Sequence, residues 1–202
     1  MSEKALNPRR RLLLQLTSAV GAIGAGFAAV PFALSMVPSA RARAAGAPVE
    51  VDINNLKPGE LKTVEWRGRP VWVLRRTPEM LKTLTEVEPQ LVDPKSVTVS
   101  QQPSYARNET RSIKPEVLIV VGLCTHLGCS PDTKKLAAGP ASGLGEDWPG
   151  GFFCPCHGSK FDLAGRVYRD VPAPKNLEVP PHKYLSNSRI IIGVDQKEKG
   201  AA

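Results

Sequence analysis

The chain contains few cysteines, few histidines and few aromatic side chains. Its 202 residues include four cysteines, three histidines and 5% aromatic residues. Four cysteines are too few for a small secreted scaffold held together by many disulfides. Hydrophobic residues at 42% and charged residues at 23% are values of a folded globular protein, and they exclude a disordered chain or a polytopic membrane protein. The length allows one ordinary domain with an appendage.

Basic charge is concentrated near the N-terminus. Six of the 27 basic residues precede residue 45, against one of the 19 acidic residues, so the rest of the chain keeps 21 basic and 18 acidic residues. A nucleic-acid-binding protein needs a basic surface on its folded body. Because the body is close to balanced, we expect no nucleic-acid partner.

A long uncharged segment follows the first eleven residues. Residues 12–37 are apolar except for four polar side chains, and as a helix they would span roughly 39 Å, enough to cross a bilayer core of roughly 30 Å. Arg9 and Arg10, in residues 1–11, resemble a twin-arginine export signal, and positive charge before a span predicts a cytoplasmic N-terminus. We therefore expect residues 12–37 to be a transmembrane anchor in the bacterial inner membrane, with the body in the periplasm.

A cleaved signal peptide is the alternative to a retained anchor. Residues 40–42 and 42–44 both read Ala-Arg-Ala and fit a small-residue cleavage site. The apolar run exceeds the roughly 7–15 residues of a signal-peptide core, which favours the anchor. Residues 38–48 are small and lack apolar periodicity, and we interpret them as a flexible tether, either an ordinary linker or a hinge that lets the body swing.

The body, residues 49–202, consists of short β-type segments. Alternating or β-branched runs predict strands at residues 49–53, 61–66, 71–74, 116–122 and 189–194. Thr77 followed by Pro78 predicts the start of a short helix. Several short strands at close spacing indicate an all-β sandwich or a small barrel.

All four cysteines and two of the three histidines fall in two motifs. These are Cys124-Thr125-His126-Leu127-Gly128-Cys129 and Cys154-Pro155-Cys156-His157-Gly158-Ser159. Such Cys–His spacing in two loops is typical of a metal site, and six potential ligands are two more than one tetrahedral ion needs. In one alternative a zinc ion takes four of them. In the other, two cysteines and two histidines hold a cluster and the remaining cysteines form a disulfide, which an oxidising compartment favours.

The two motifs together resemble the signature of Rieske [2Fe–2S] proteins. The resemblance extends to Gly165-Arg166 and to the proline-rich residues 172–180, and its specific motifs cover about residues 114–194. With the anchor, the chain is similar to the iron–sulfur subunits of bacterial ubiquinol–cytochrome c reductases, the cytochrome bc1 complexes. This resemblance implies a mainly β fold, a Rieske-type antiparallel β-sandwich with a small cluster-binding subdomain, preceded by one transmembrane helix.

The resemblance also implies one [2Fe–2S] cluster per subunit and assigns its site. The implied roles are Cys124 and Cys154 as ligands of one iron, His126 and His157 as ligands of the other, Ser159 as a hydroxyl donor to the cluster, and a Cys129–Cys156 disulfide. Cluster-binding loops are expected at 122–131 and 152–162, with a covering proline loop at 171–174. His126 and His157 would be catalytic, because an imidazole N–H can titrate and couple reduction to protonation.

The function that the resemblance implies is electron transfer. The subunit would take one electron from ubiquinol at the outer quinol-oxidation site, pass it to cytochrome c1 and release protons to the periplasm. Cytochrome b and cytochrome c1 would be its partners in a dimeric complex. One alternative is the Rieske small subunit of a periplasmic oxidase such as arsenite oxidase. Another is an exported zinc-stabilised binding module without electron transfer.

Two positions depart from the family pattern. Phe161 stands where the respiratory family usually has Tyr, so a phenol hydrogen bond to a ligand sulfur would be missing and we expect a lower reduction potential. Val171 stands where Gly is expected before Pro172. Residues 131–151 include eight Gly or Pro in 21 positions, and we expect an exposed loop there. We expect the third histidine, His182, to be structural.

Overall fold

The computed structural model describes residues 7–196 and divides into two units. The first unit ends at Ala44 and the second begins at Ala45. Of the expected cytoplasmic segment 1–11, residues 1–6 lie outside the described part of the chain.

The first unit begins with a long apolar helix, α1, which spans Pro8–Ser35. The side chain of Asn7 accepts a hydrogen bond from the backbone N–H of Arg9 at 3.0 Å, and Pro8 occupies the first helical position, so the start is well capped. By length and composition, α1 is long and apolar enough to cross a membrane. It begins one residue before the arginine triplet 9–11, four residues before the expected span 12–37, and it ends two residues before that span does.

A second helix, α2, spans Ala40–Ala45 within the expected tether. The hydroxyl of Ser39 accepts a hydrogen bond from the backbone N–H of Ala42 at 3.1 Å and caps its first turn. Alanine and arginine are strong helix formers. A stretch without apolar periodicity can therefore be helical on propensity alone, which the composition of residues 38–48 did not lead us to expect.

The second unit is built from short antiparallel strands, as the fold prediction expected. Within residues 7–196 these are β1 Val49–Asp52, β2 Leu61–Trp66, β3 Arg69–Arg75, β4 Val117–Val121, β5 Phe152–Phe153, β6 Lys160–Phe161, β7 His182–Tyr184 and β8 Arg189–Ile192. The strand orders are β1-β8-β7, β2-β3-β4 and β5-β6. All five predicted strands are present, whereas β5, β6 and β7 are too short to produce a visible periodicity.

The remaining regular elements are one helix and several 3₁₀ turns. Helix α3 spans Pro78–Glu86, and the Thr77 hydroxyl accepts the N–H of Met80 at 3.3 Å, which confirms the predicted start. The 3₁₀ turns lie at Glu88–Gln90, Val99–Gln101, Ser104–Ala106, Thr133–Leu136 and Pro140–Ser142.

Strand β4 is buried on both faces and connects the two parts of the core. Its odd-numbered residues pack in one apolar cluster with β1 and β8, while Leu118 and Val120 pack in a second cluster that contains Cys124 and Cys154. A strand buried on both faces is expected to be a continuous β-branched and aliphatic run. The first motif follows this strand directly, so the most buried strand of the unit fixes where the motif begins.

Gly122 joins β4 to the first motif and tolerates no side chain. Its N–H donates to the carbonyl of Pro70 at 2.8 Å, and a Cβ added here would overlap the indole ring of Trp72. We expect Gly122→Ala to destabilise the fold by about 1–3 kcal/mol, as overpacking does, measured by denaturant unfolding of the detergent-solubilised chain. When Gly122→Ala is combined with Trp72→Phe, the double variant should lose less unfolding free energy than the two single variants lose in sum. Fully additive losses would contradict this explanation.

Candidate metal centre

The two Cys–His motifs fold as loops of the same construction. In the first loop the N–H of Gly128 donates to the carbonyl of Cys124 at 2.9 Å, and in the second Gly158 donates to Cys154 at 2.9 Å. In both, the N–H of the first cysteine donates to the carbonyl of the last motif residue, at 2.7 and 2.8 Å. Both glycines have a positive φ, 81° and 76°, which glycine adopts without strain. Each loop therefore holds its first cysteine by a closed set of backbone bonds.

A disulfide between Cys129 and Cys156 ties the two loops together, with 6.7 Å between the Cα atoms. This confirms the expected pairing. Cys124 and Cys154 are the free cysteines, and the chain has no others. The sulfur of Cys154 lies within 4.8 Å of both disulfide sulfurs. Since a disulfide offers no thiolate, only the two free cysteines can supply sulfur ligands.

The two free thiols face each other inside the protein. Cys124 is 3% exposed and Cys154 is 2% exposed, and the side chain of Cys154 interacts with that of Cys124. Burial raises the pKa of the Cys124 thiol, although the backbone N–H of His126 and the hydroxyl of Ser159 act in the opposite direction. Such a thiol gives up its proton when a cation binds. The pair is therefore suited to a metal centre that is shielded from water.

The two imidazoles lie at the surface of the same loops. The ring centroids of His126 and His157 are 4.9 Å apart and the rings meet edge to face at 85°. His157 is exposed and His126 is partly exposed, while Leu127, between the ligand candidates, is 72% exposed. The four predicted ligands are thus brought together with sulfur on the inner side and nitrogen on the outer side.

Hydrogen bonds join the expected proline loop 171–174, and Lys175 directly after it, to the two motif loops. The hydroxyl of Ser159, itself buried, accepts a hydrogen bond from the N–H of Ala173 at 3.0 Å. The hydroxyl of Thr125 donates to the carbonyl of Lys175 at 2.6 Å. Ser159 was a predicted site residue, whereas Thr125 was missed, because nothing in the sequence shows that its acceptor lies 50 residues away.

The Val171 departure does not disturb this loop. The left-handed conformation is adopted by Asp170, with φ 57°, and aspartate is one of the residues that tolerate it. The side chain of Val171 packs against two apolar clusters of the core. Valine is therefore accommodated because the turn that needs a positive φ lies one residue earlier.

The donor set fits a Rieske centre. In these [2Fe–2S] centres two cysteines bind one iron and two histidines bind the other. Two buried thiols and two surface imidazoles, supplied in pairs by two loops, match that division. Which of them ligate each iron stays a prediction.

Residues 48–181 match the family described as the Rieske [2Fe-2S] domain. The chain belongs to this family. Residues 1–39 match a second family, described as the ubiquitinol-cytochrome C reductase Fe-S subunit TAT signal, which confirms the expected export signal. The family match decides between the two metal alternatives in favour of a [2Fe–2S] cluster over zinc.

Three bacterial relatives of this Rieske protein are named ubiquinol-cytochrome c reductase iron-sulfur subunit. The protein of Allochromatium vinosum is 60% identical, over 97% of this chain and 94% of its own length. The protein of Blastochloris viridis is 41% identical, over 95% of this chain and 96% of its own length. The protein of Rhodospirillum rubrum is 40% identical, over 92% of this chain and 91% of its own length. The chain belongs to this family of iron–sulfur subunits.

Phe161 is completely buried in β6, opposite Phe152, in the apolar cluster that contains both free thiols. Phe161→Tyr would supply the phenol that the respiratory family usually has at this position, and a hydrogen bond to a ligand sulfur favours the reduced state. We expect the midpoint potential to rise, measured by redox titration. The control is Phe153→Tyr, whose side chain points to the opposite face of β5 from that of Phe152, and it should leave the potential unchanged. An unchanged potential in Phe161→Tyr would contradict the assignment.

Proposed function

We propose that this chain carries electrons from ubiquinol to cytochrome c1 within a cytochrome bc1 complex. Helix α1 anchors it in the bacterial inner membrane, and the second unit lies in the periplasm. The observation that carries the proposal is the division of the site on two loops joined by a disulfide: two thiols are buried, while one imidazole is exposed and the other is partly exposed. Such a site protects its metal from water and still presents polar hydrogen-bonding groups to a partner.

The cysteine and the histidine side chains have different roles in holding the cluster. When bound, a [2Fe–2S] cluster supplies a centre that takes up and returns one electron. Cys124 and Cys154 would hold one iron as thiolates. His126 and His157 would hold the other iron as neutral imidazoles, which would make it less electron-rich and raise the potential relative to an all-cysteine site.

The outer imidazoles also give the site a way to handle protons. In a neutral imidazole, the ring nitrogen that is not bound to metal carries the proton. Once this N–H has lost its proton, the nitrogen can accept a hydrogen bond from a quinol hydroxyl and take its proton. Oxidation of ubiquinol to ubiquinone releases two electrons and two protons. One electron passes to this chain and the other to cytochrome b, and both protons leave on the periplasmic side.

Leu127 offers an apolar contact beside these imidazoles. It is 72% exposed and lies between His126 and the glycine of the loop. A large exposed apolar side chain next to a functional group is typical of a docking surface. We assign Leu127 to contacts with cytochrome b at the quinol site and with cytochrome c1 after electron uptake.

The segment 38–48 supplies the reach that movement between two partners requires. Its helix α2 is six residues long, about 9 Å as a helix and roughly 20 Å when extended. Unwinding α2 therefore lengthens the connection between helix α1 and strand β1 by roughly the difference between these two lengths. Six alanine and arginine residues form a helix of marginal stability on their own, so the cost of unwinding is small.

The ligand assignment is tested by electron paramagnetic resonance of the full chain in detergent after reduction with ascorbate or dithionite. We expect a strongly rhombic signal with a low average g value, and complete loss of it in His157→Leu. His182→Asn is the matched control, since this third histidine is buried and its ring nitrogen lies 2.8 Å from the carbonyl of Pro180. Its signal should persist. A silent wild-type protein, or a signal that survives in His157→Leu, would overturn the proposed site.

The swinging role of residues 38–48 is tested by deletion of Ala40–Ala45 in the intact complex. We expect a several-fold fall in quinol–cytochrome c reductase turnover with an unchanged resonance spectrum, because the reach shortens while the site is untouched. A variant with six Gly and Ser residues in place of the deleted six keeps the length and should keep its turnover. Full turnover in the deletion variant would argue against movement of the second unit.

A further inference from the structure

The turn that follows the second cluster-binding loop is held by three buried arginines. Arg76, Arg111 and Arg166 are 3%, 0% and 0% exposed. Each donates to residues of the turn 162–166. The bonds run from Arg76 to the carbonyl of Leu163 (3.0 Å), from Arg111 to the carbonyls of Ala164 and Gly165 (3.2 and 3.3 Å), and from Arg166 to the carboxylate of Asp162 (2.7 Å).

This turn is part of the wall around the free thiols. Only the two residues of β6 separate it from Ser159, the last residue of the second motif. Leu163 and Ala164 belong to the same apolar cluster as Cys124 and Cys154. The guanidinium groups therefore lie against the dry core that encloses the site, where water does not screen their charge.

The charges buried with these arginines do not balance. Within residues 7–196 the buried carboxylates are Asp93 and Asp162, against three guanidinium groups. His182 is also buried. Burial is the largest influence on the pKa of this imidazole and lowers it, so the ring is neutral at pH 7. One positive charge in this interior is left without a buried negative partner, and the further carboxylate that acts on Arg76, that of Glu116, is exposed to solvent.

The groups keep these charges at neutral pH. Burial lowers the pKa of Arg76 and of Arg111, in each case to about 10, which leaves both protonated. Burial alone would raise the pKa of Asp93, but hydrogen bonds from the backbone N–H groups of Thr98 and Val97 and the charge of Arg111 outweigh it, so this pKa is lowered. The excess of one positive charge is therefore a property of the folded protein at working pH.

We propose that this buried arginine cluster raises the reduction potential of the iron–sulfur centre through its uncompensated positive charge, in addition to holding the turn 162–166. Uptake of one electron makes the centre more negative by one charge, and a nearby buried positive charge stabilises that state. The inference rests on the proposed function, because it requires a cluster held by the two motifs.

Removal of Arg111 disturbs the fold less than removal of Arg166. The carbonyl of Gly165 also accepts a hydrogen bond from the N–H of Leu177 at 2.8 Å. The carbonyl of Gln101 is another acceptor of Arg111, and it also accepts a hydrogen bond from the N–H of Val179 at 2.8 Å. Two of its four acceptors thus keep a backbone donor, and its own Nε atom has no hydrogen-bond partner. Arg166 differs, because its removal would leave the carboxylate of Asp162 buried without its cation.

The test compares Arg111→Met with Asp93→Asn in the full detergent-solubilised chain. Both remove a buried charge and both loosen the fold. The first removes a positive charge and should lower the midpoint potential, whereas the second removes a negative charge and should raise it. We expect each to change the ratio of reduced to oxidised centre at a fixed ambient potential by about tenfold, which is ~59 mV for a one-electron couple. Redox titration followed by the resonance signal measures both.

The exposed Arg107 provides the matched control. Arg107→Met removes the same charge where solvent and salt screen it, and it should leave the ratio almost unchanged. Shifts of the same sign in the two buried variants, or none, would overturn the inference while the resonance signal still supported the proposed function. A missing signal in the wild-type chain would instead contradict the proposed function. If Arg111→Met does not accumulate, a raised potential in Asp93→Asn supports the inference and an unchanged one overturns it.

Discussion

The site depends on one constraint, the fixed spacing of two loops that come from distant parts of the chain. Each loop orients its own cysteine by backbone bonds, and the backbone bond from the N–H of Asp132 to the carbonyl of Phe153 at 2.7 Å helps to set the distance between the two loops. The Cys129–Cys156 disulfide and the two hydrogen bonds to the proline region, from Ala173 to Ser159 and from Thr125 to Lys175, also set that distance. These connections together hold the four predicted ligands of the two loops close to one another.

The rest of the second unit gives these loops a rigid and dry support. The first loop follows strand β4, and the second loop connects the short strands β5 and β6. Residues of these strands pack in one apolar cluster together with the free thiols. Sulfur ligands benefit from a dry environment, while imidazoles that exchange protons need contact with solvent or substrate. The fold meets both needs because the cysteines stand at the base of each loop and the histidines stand at its tip.

Sequence patterns located most of the fold and the donor residues of the site. Strands of four or more residues with β-branched character, such as β4, were predicted, and two Cys–His motifs are specific enough to identify the family. Strands of two residues carry no periodicity, so β5 and β6 could not be predicted. Helix α2 was missed because propensity, not pattern, forms it. The roles of Thr125 and of the arginine cluster were missed because they depend largely on partners far away in sequence, such as Lys175 for Thr125 and Leu163 for Arg76, which only the folded chain reveals.

Two physical effects of opposite sign act on the same centre in this chain. Phe161 provides no hydroxyl, so we expect this chain to lack a short-range hydrogen bond that would favour the reduced state. The buried arginines provide an excess positive charge, which acts over a longer distance because the interior screens it weakly. A hydrogen bond acts only at the sulfur it touches, whereas a buried charge acts on the whole centre. A chain that lacks the first can therefore retain a high potential through the second.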